Sequence, residues 1–282
     1  MGNYIPVIAY FLYLLYIKIH NKVNKFRKNY ELEELKIKKL IKYIIILLLI
    51  AIMLISSYFL CKNLQEDNKQ EEIFENIKDI AEENNDDNNN LEIEKNDINM
   101  QKLYEINSDI IGWIRIDNSN IDYPVMQTKN SPNYYLRKNF YKQYSYLGTP
   151  YLSENCDINI SDNLIIYGHH INNSKMFGEL ENYRKEEYYN SHKIIKLYTL
   201  EEKREYEIIS IFTTNAYTGF KYYNFISSSN ENEFNTFVNQ CKELSFFDIE
   251  NTAVYGDKLL TLSTCDYSSK NARLVIVAKR II

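Results

Sequence analysis

Apolar positions along this chain fall into three textures. The first is continuous: residues 43 to 60, from Tyr43 to Leu60, carry no charge. At about 1.5 Å per residue that run is long enough to cross a hydrocarbon layer of about 30 Å. The second is dominated by polar and charged residues, with apolar ones scattered among them. Positions 62 to 100 are rich in Asn, Asp, Glu and Lys around the run Asn84 to Asn90. Such a segment buries too little apolar surface to offset chain entropy, so it reads as a solvated stalk, with room for a short helical piece around Glu71 to Ile80. The third begins near Met100, where short β-branched and aromatic runs are broken by Asn, Asp, Gly and Ser.

That third texture predicts strands over 110–116, 121–126, 149–152, 163–167, 193–200, 204–213, 258–265 and 273–281. Many short strands at modest spacing predict an antiparallel or mixed β-barrel, a mainly β fold with peripheral helices. Helices are expected at 101–107, 174–182 and 231–244. In the last, Phe234, Phe237, Val238 and Cys241 recur at helical spacing, a stripe that reads as packing. The organisation is therefore a cytoplasmic or membrane-associated segment (1–42), a transmembrane helix (43–61), an acidic Asn-rich stalk (62–100) and a folded domain (101–282).

Charge sharpens this picture. The formal net charge is only −5 over 282 residues, but Lys18, Lys22, Lys25, Arg27, Lys28, Lys36, Lys38, Lys39 and Lys42 all precede the apolar run. The lysine excess predicts that side in the cytoplasm and the bulk outside, with Tyr43 and Tyr58 near the interfaces. No small-x-small cleavage pattern follows the run. A second apolar stretch, Tyr4 to Ile17, contains Pro6 and stops at Lys18. It leaves single-pass and two-pass topologies both open. No basic stripe marks the folded domain, which excludes nucleic acid as a partner.

The chain has four cysteines: Cys61, Cys156, Cys241 and Cys265. No CxxC and no compact His/Cys set is present, so neither a metal nor another cofactor is expected. Cys156 and Cys241 read as incidental thiols, although sequence alone does not exclude their pairing. Cys265 differs, because it ends the strand 258–265, with the next strand beginning at Arg273. If the two pair as a hairpin, Arg273 returns to within about 5 Å of Cys265. A thiol and an obligate cation at a strand end form a candidate nucleophilic site. The domain also offers His169, His170 and His192. The first two follow a predicted buried strand and Gly168, whose freedom suits a sharp turn. On spacing alone they are either an aimed imidazole or a pair of surface histidines. His192 reads as a solvated loop residue.

From about Leu103 onward the chain resembles the sortases, cysteine transpeptidases of Gram-positive cell surfaces, and within them class B. The resemblance rests on Asn107 to Ile114, Ile121 to Gln127, Asn133 to Leu136, Tyr167-Gly168-His169-His170, Met176-Phe177-Gly178, Thr261 to Cys265 and Arg273, in the family's order. The helix at 231–244 resembles the extra helix of class B. The resemblance implies a sortase-like mixed barrel of about eight strands preceded by a membrane helix. It also implies Cys265 as nucleophile, His169 as acid/base and Arg273 as the oxyanion or substrate-positioning cation. Ser263, Thr264 and Tyr267 become candidate substrate contacts. His170 matches a variable neighbour, and the role of Asp266 stays open.

The implied partners are secreted proteins bearing a carboxy-terminal sorting signal, cleaved at a Thr–Gly-type bond, and an amine of a peptidoglycan precursor or stem peptide. The implied location is the cell membrane, with the catalytic domain extracellular. Two related activities compete: a cysteine endopeptidase that releases surface proteins by hydrolysis, and a pilin-polymerising sortase. A surface adhesin would itself carry a sorting signal, whereas Ala278 to Ile282 reads as part of a strand.

Overall fold

The computed structural model describes residues 5–82, 98–171 and 174–282. Eight strands close into a barrel: β1 (Ile110–Arg115), β2 (Asp122–Met126), β3 (Tyr151–Leu152), β4 (Asn163–Tyr167), β7 (Ile194–Tyr198), β8 (Lys203–Asn215), β9 (Leu259–Asp266) and β10 (Ala272–Arg280). Around the barrel they run β1-β2-β3-β4-β9-β10-β8-β7. Most neighbours are antiparallel, but β2 with β3 and β4 with β9 are parallel, so the barrel is mixed as the spacing of runs predicts. A two-stranded ribbon, β5 (His170–Ile171) with β6 (Lys175–Met176), stands apart.

The longest strand shows how burial follows the sequence. The first half of β8 alternates, with Lys203, Glu205 and Glu207 on the outer face. Ile208 to Phe212 are buried on both faces, because the helix Glu231–Leu244 covers the outside. The stripe Phe234, Phe237, Val238 and Cys241 is buried in the main core, which is the packing role its spacing predicts. Asn230 caps this helix by accepting from the Glu233 amide at 3.0 Å. Cys156 and Cys241 are both buried free thiols, and burial pushes the Cys156 thiol up to about 11.

Two expectations need correction. Helix α1 runs Ile5–Glu82, and by contacts the chain divides after Gln65 into two units, the second being Glu66–Ile282. Residues 66–82 therefore belong to the folded unit and not to a solvated stalk; Asn84 to Asn90 lie outside the described residues. Phe74, Ile77 and Ala81 recur every three or four positions and are buried with Met100, Leu103, Trp113, Tyr135 and Phe140 in a second core cluster. Charges seal the contact: Asp122 accepts from Trp113 Nε1 at 2.6 Å and from Arg115 at 2.8 Å, and pairs with Lys78 at 2.8 Å. Ile77→Ala, at a side chain with no exposure, is expected to cost about 2–4 kcal/mol in chemical denaturation. A free stalk would lose nothing there.

The second correction concerns 174–182. Its residues form β6 and then a 3₁₀ segment, Phe177–Arg184, instead of an α-helix. Ser174 (φ 58°) and Met176 (φ 53°) are left-handed and cannot continue a right-handed turn. In the first unit, Tyr13–Lys62 is long and apolar enough to cross a membrane by length and composition.

Candidate active site

The candidate nucleophile lies on β9 between two partners of opposite sense. On one side β10 runs antiparallel, and its register sets Arg273 directly across from Cys265. The hairpin inferred from the spacing therefore forms, with β9 displaced one residue toward the carboxy terminus from its expected bounds and a loop at 267–271. On the other side β4 runs parallel, with Tyr167 across from Ser263. The two chains stay together past the ladder's end: the Gly168 amide donates to Ser263 O at 3.1 Å, and Thr264 Oγ1 donates to Gly168 O at 2.8 Å. His169 is the next residue. Parallel pairing puts both carboxy-terminal strand ends at the same rim, so Arg273 and the histidine pair flank Cys265 from opposite sides. Cys265, His169 and Arg273 are all half-buried.

Gly168 earns its place differently from the sharp turn expected of it. A Cβ there would sit 2.5 Å from the Phe177 ring, so only glycine allows β4 to pass beneath it.

The two histidines take different partners. Nε2–H of His169 donates to the Leu136 carbonyl at 2.8 Å, which fixes the tautomer and leaves the Nδ1 lone pair for other work. Nδ1–H of His170 donates to the backbone carbonyl of Cys265 itself at 2.9 Å. Burial lowers the His169 pKa; the Leu136 bond opposes this, and the Arg137 charge adds to it. His169 is accordingly expected to titrate below 6.5 in an NMR pH series, neutral in most molecules at pH 7. His192 is far from being a free loop residue, since it stacks on Tyr188 at 4.0 Å and lies away from the cysteine rim.

The candidate substrate contacts divide. Ser263 and Thr264 are 1% and 2% exposed, and both hydroxyls are engaged: Ser263 with Tyr222 at 2.6 Å, Thr264 with Gly168. They brace the strand end from within. Tyr267 is 70% exposed; its hydroxyl donates to His170 O at 3.2 Å, and its ring meets the His170 ring edge-on at 4.9 Å. Asp266 is buried and turned toward Arg184 (2.7 Å) and Thr213 (3.0 Å). Burial pushes its carboxyl up, but bonds from Ser268 and Thr213 and the Arg184 charge outweigh that and hold it below the usual carboxylate value. It anchors the end of β9 to its surroundings.

Sequence reasoning missed the tyrosines around the thiol. Burial raises the Tyr151 and Tyr222 hydroxyls, and both feel the charges of Cys265 and Arg273. Tyr167 packs against Tyr151 at 5.6 Å. With 26 tyrosines in the chain, residue type alone could not single these out. Nor could it find Leu136, whose contribution is a backbone carbonyl.

A barrel with a thiol, an arginine and an imidazole pair at one rim is suited to cysteine-based acyl transfer. The Sortase domain model matches residues 114–281, and the chain belongs to the sortase family. Sortase B of Staphylococcus aureus is 31% identical over 184 residues, 64% of this chain and 74% of that protein. The structure of the S. aureus sortase B–substrate complex superposes with a TM-score of 0.60 at 31% identity, covering 64% of this chain and 84% of that one. Bacillus anthracis sortase B in complex with AAEK1 gives 0.65 at 29% identity, covering 77% and 98%. These similarities place the chain in class B, as a sortase-type cysteine transpeptidase for surface proteins.

Proposed function

We propose that the chain is a membrane-anchored transpeptidase that cleaves the sorting signal of secreted proteins and transfers the acyl part to a cell-wall amine. Cys265 attacks, Arg273 steadies the oxyanion and His169 moves the proton. The observation that carries this reading is the double register of β9, which sets Arg273 across from Cys265 and leads β4 into His169.

The chemistry follows from these groups. The Cys265 thiolate adds to the scissile carbonyl carbon, and the oxygen that gains charge accepts hydrogen bonds from the Arg273 guanidinium, which stays charged throughout. Protonated His169 gives its proton to the departing amine as the C–N bond breaks, leaving a thioacyl enzyme. The incoming amine then attacks the thioester, His169 takes its proton, and the thiolate leaves. A His169 pKa below 6.5 means that few molecules hold the imidazolium at pH 7. A small active fraction suffices when the pair is well placed. The run 43–61 anchors the enzyme, and 101–282 with the packed helix 66–82 acts outside the membrane.

The test incubates the protein with a library of sorting-signal peptides and candidate amines, diaminopimelate and short glycine peptides among them, and identifies products by mass spectrometry. Amine-ligated product supports transpeptidation, whereas hydrolysed product alone at saturating amine contradicts it. The His170 bond to the Cys265 carbonyl favours a second reading in which His170 is the acid/base. His169→Ala and His170→Ala in the same assay separate the two: the first is expected to abolish ligation, the second only to reduce it.

A further inference from the structure

Both histidines are tied by backbone contacts to the stretch 175–177. His170 pairs with Met176, and the Phe177 amide donates to the His169 carbonyl at 2.9 Å. Met176 has φ 53° and ψ −133°, a conformation L-residues avoid at a cost of about 1–3 kcal/mol. Such a backbone persists only where its surroundings hold it. One bond does so directly: the strained Met176 amide donates to the Tyr123 hydroxyl at 3.1 Å. The Tyr123 ring in turn meets Phe74 of α1 edge-on at 5.1 Å. Beside it, Lys175 of the same ribbon pairs with Glu71 of α1 at 2.5 Å. Burial pushes the Tyr123 hydroxyl up to about 12, so it remains a neutral phenol at working pH.

We infer that Tyr123 is a positioning residue for the reaction: seated on the 66–82 stretch of α1, it clamps the β5–β6 ribbon in a strained form that aims the histidine pair at the Cys265 rim. The inference rests on the assignment of an imidazole of that pair as acid/base. Tyr123 reaches the histidines through the backbone. Its hydroxyl acts on Met176, and Met176 is joined to His170 by strand pairing and to His169 through Phe177. A misplacement of about 1 Å in a reacting group can cost about a hundredfold in rate. Relaxing one strained peptide should cost less.

The experiment uses full-length protein in detergent micelles and compares Tyr123→Phe, which keeps the ring and removes the hydroxyl, with wild type. The expected result is a fall in ligation kcat of about tenfold, with KM within about twofold and the melting midpoint nearly unmoved. A fold-stabilising role alone would leave kcat intact, or would lower activity only in step with melting, and either result overturns the inference. Glu71→Lys and Lys175→Glu should each lower kcat, and the double exchange should restore it; failure of that restoration also counts against the clamp. His169→Ala and His170→Ala are measured alongside. If both keep wild-type turnover, the acid/base assignment has failed. If one is inactive while Tyr123→Phe matches wild type, the clamp alone has failed.

Discussion

Cys265→Ala is expected to form no thioacyl adduct and to lose ligation by about 10⁴-fold or more, since no other group on the rim can form the covalent intermediate. The substitution removes one half-buried sulfur that makes no packing contribution deep in the core. Melting should therefore shift little, and sorting peptide should still bind. Intact-mass spectrometry after incubation with peptide checks the first point, and a binding titration the second. An adduct on the alanine variant, or turnover above about one percent of wild type, would reject Cys265 as nucleophile.

Arg273→Lys has the second-largest expected effect. Lysine keeps the positive charge across from Cys265 but replaces a planar fork with a single ammonium. The Arg273 Nη1 group donates to the Ala272 carbonyl at 2.9 Å, which holds the fork in place beside its own strand. Loss of one oxyanion donor typically costs about 10²–10³ in kcat, and the lysine variant should fall in that range. Because the charge is retained, long-range attraction for substrate changes little, so the loss should appear in kcat more than in KM. Steady-state ligation kinetics distinguish the two. Normal turnover would show that charge alone suffices and that no directed donor is needed.

Much of the barrel was legible because its strands obey local rules. The runs at 110–116, 163–167 and 258–265 are apolar, β-branched and bounded by turn residues, and each becomes a strand within a residue or so of its expected bounds. Glu231–Leu244 was legible from its periodicity. The hairpin that brings Arg273 to Cys265 was readable from spacing, since a short loop leaves the two strands little choice but to pair.

What stayed hidden depends on partners distant in sequence. The helical spacing of Phe74, Ile77 and Ala81 is present in the sequence, but the surrounding Glu, Asp and Asn residues outweigh it in any compositional reading. Only the apolar surface near Met100, Trp113 and Phe140 gives that stripe somewhere to go. The ribbon and 3₁₀ turn at 174–184 arise from left-handed residues and from the Phe177 ring against Gly168, which leave no periodic trace. His169 and His170 are neighbours of one type, and no local rule tells which will donate to Leu136 and which to Cys265. That distinction is made by backbone carbonyls, one of them 95 positions away.

The parallel pairing of β4 with β9 also bears on how the enzyme matures. Thr264 and Gly168 are separated by 96 positions, so their contact closes a long loop and belongs to the slowest class of folding event. The β9–β10 hairpin fits between β4 and β8 like the last two staves of a cask, and both are synthesised after every other stave. Until they seat, the sulfur has neither its arginine nor its imidazoles in a fixed place. On the proposed roles, a chain whose last hairpin has not yet seated has no assembled rim and is expected to form no thioacyl adduct.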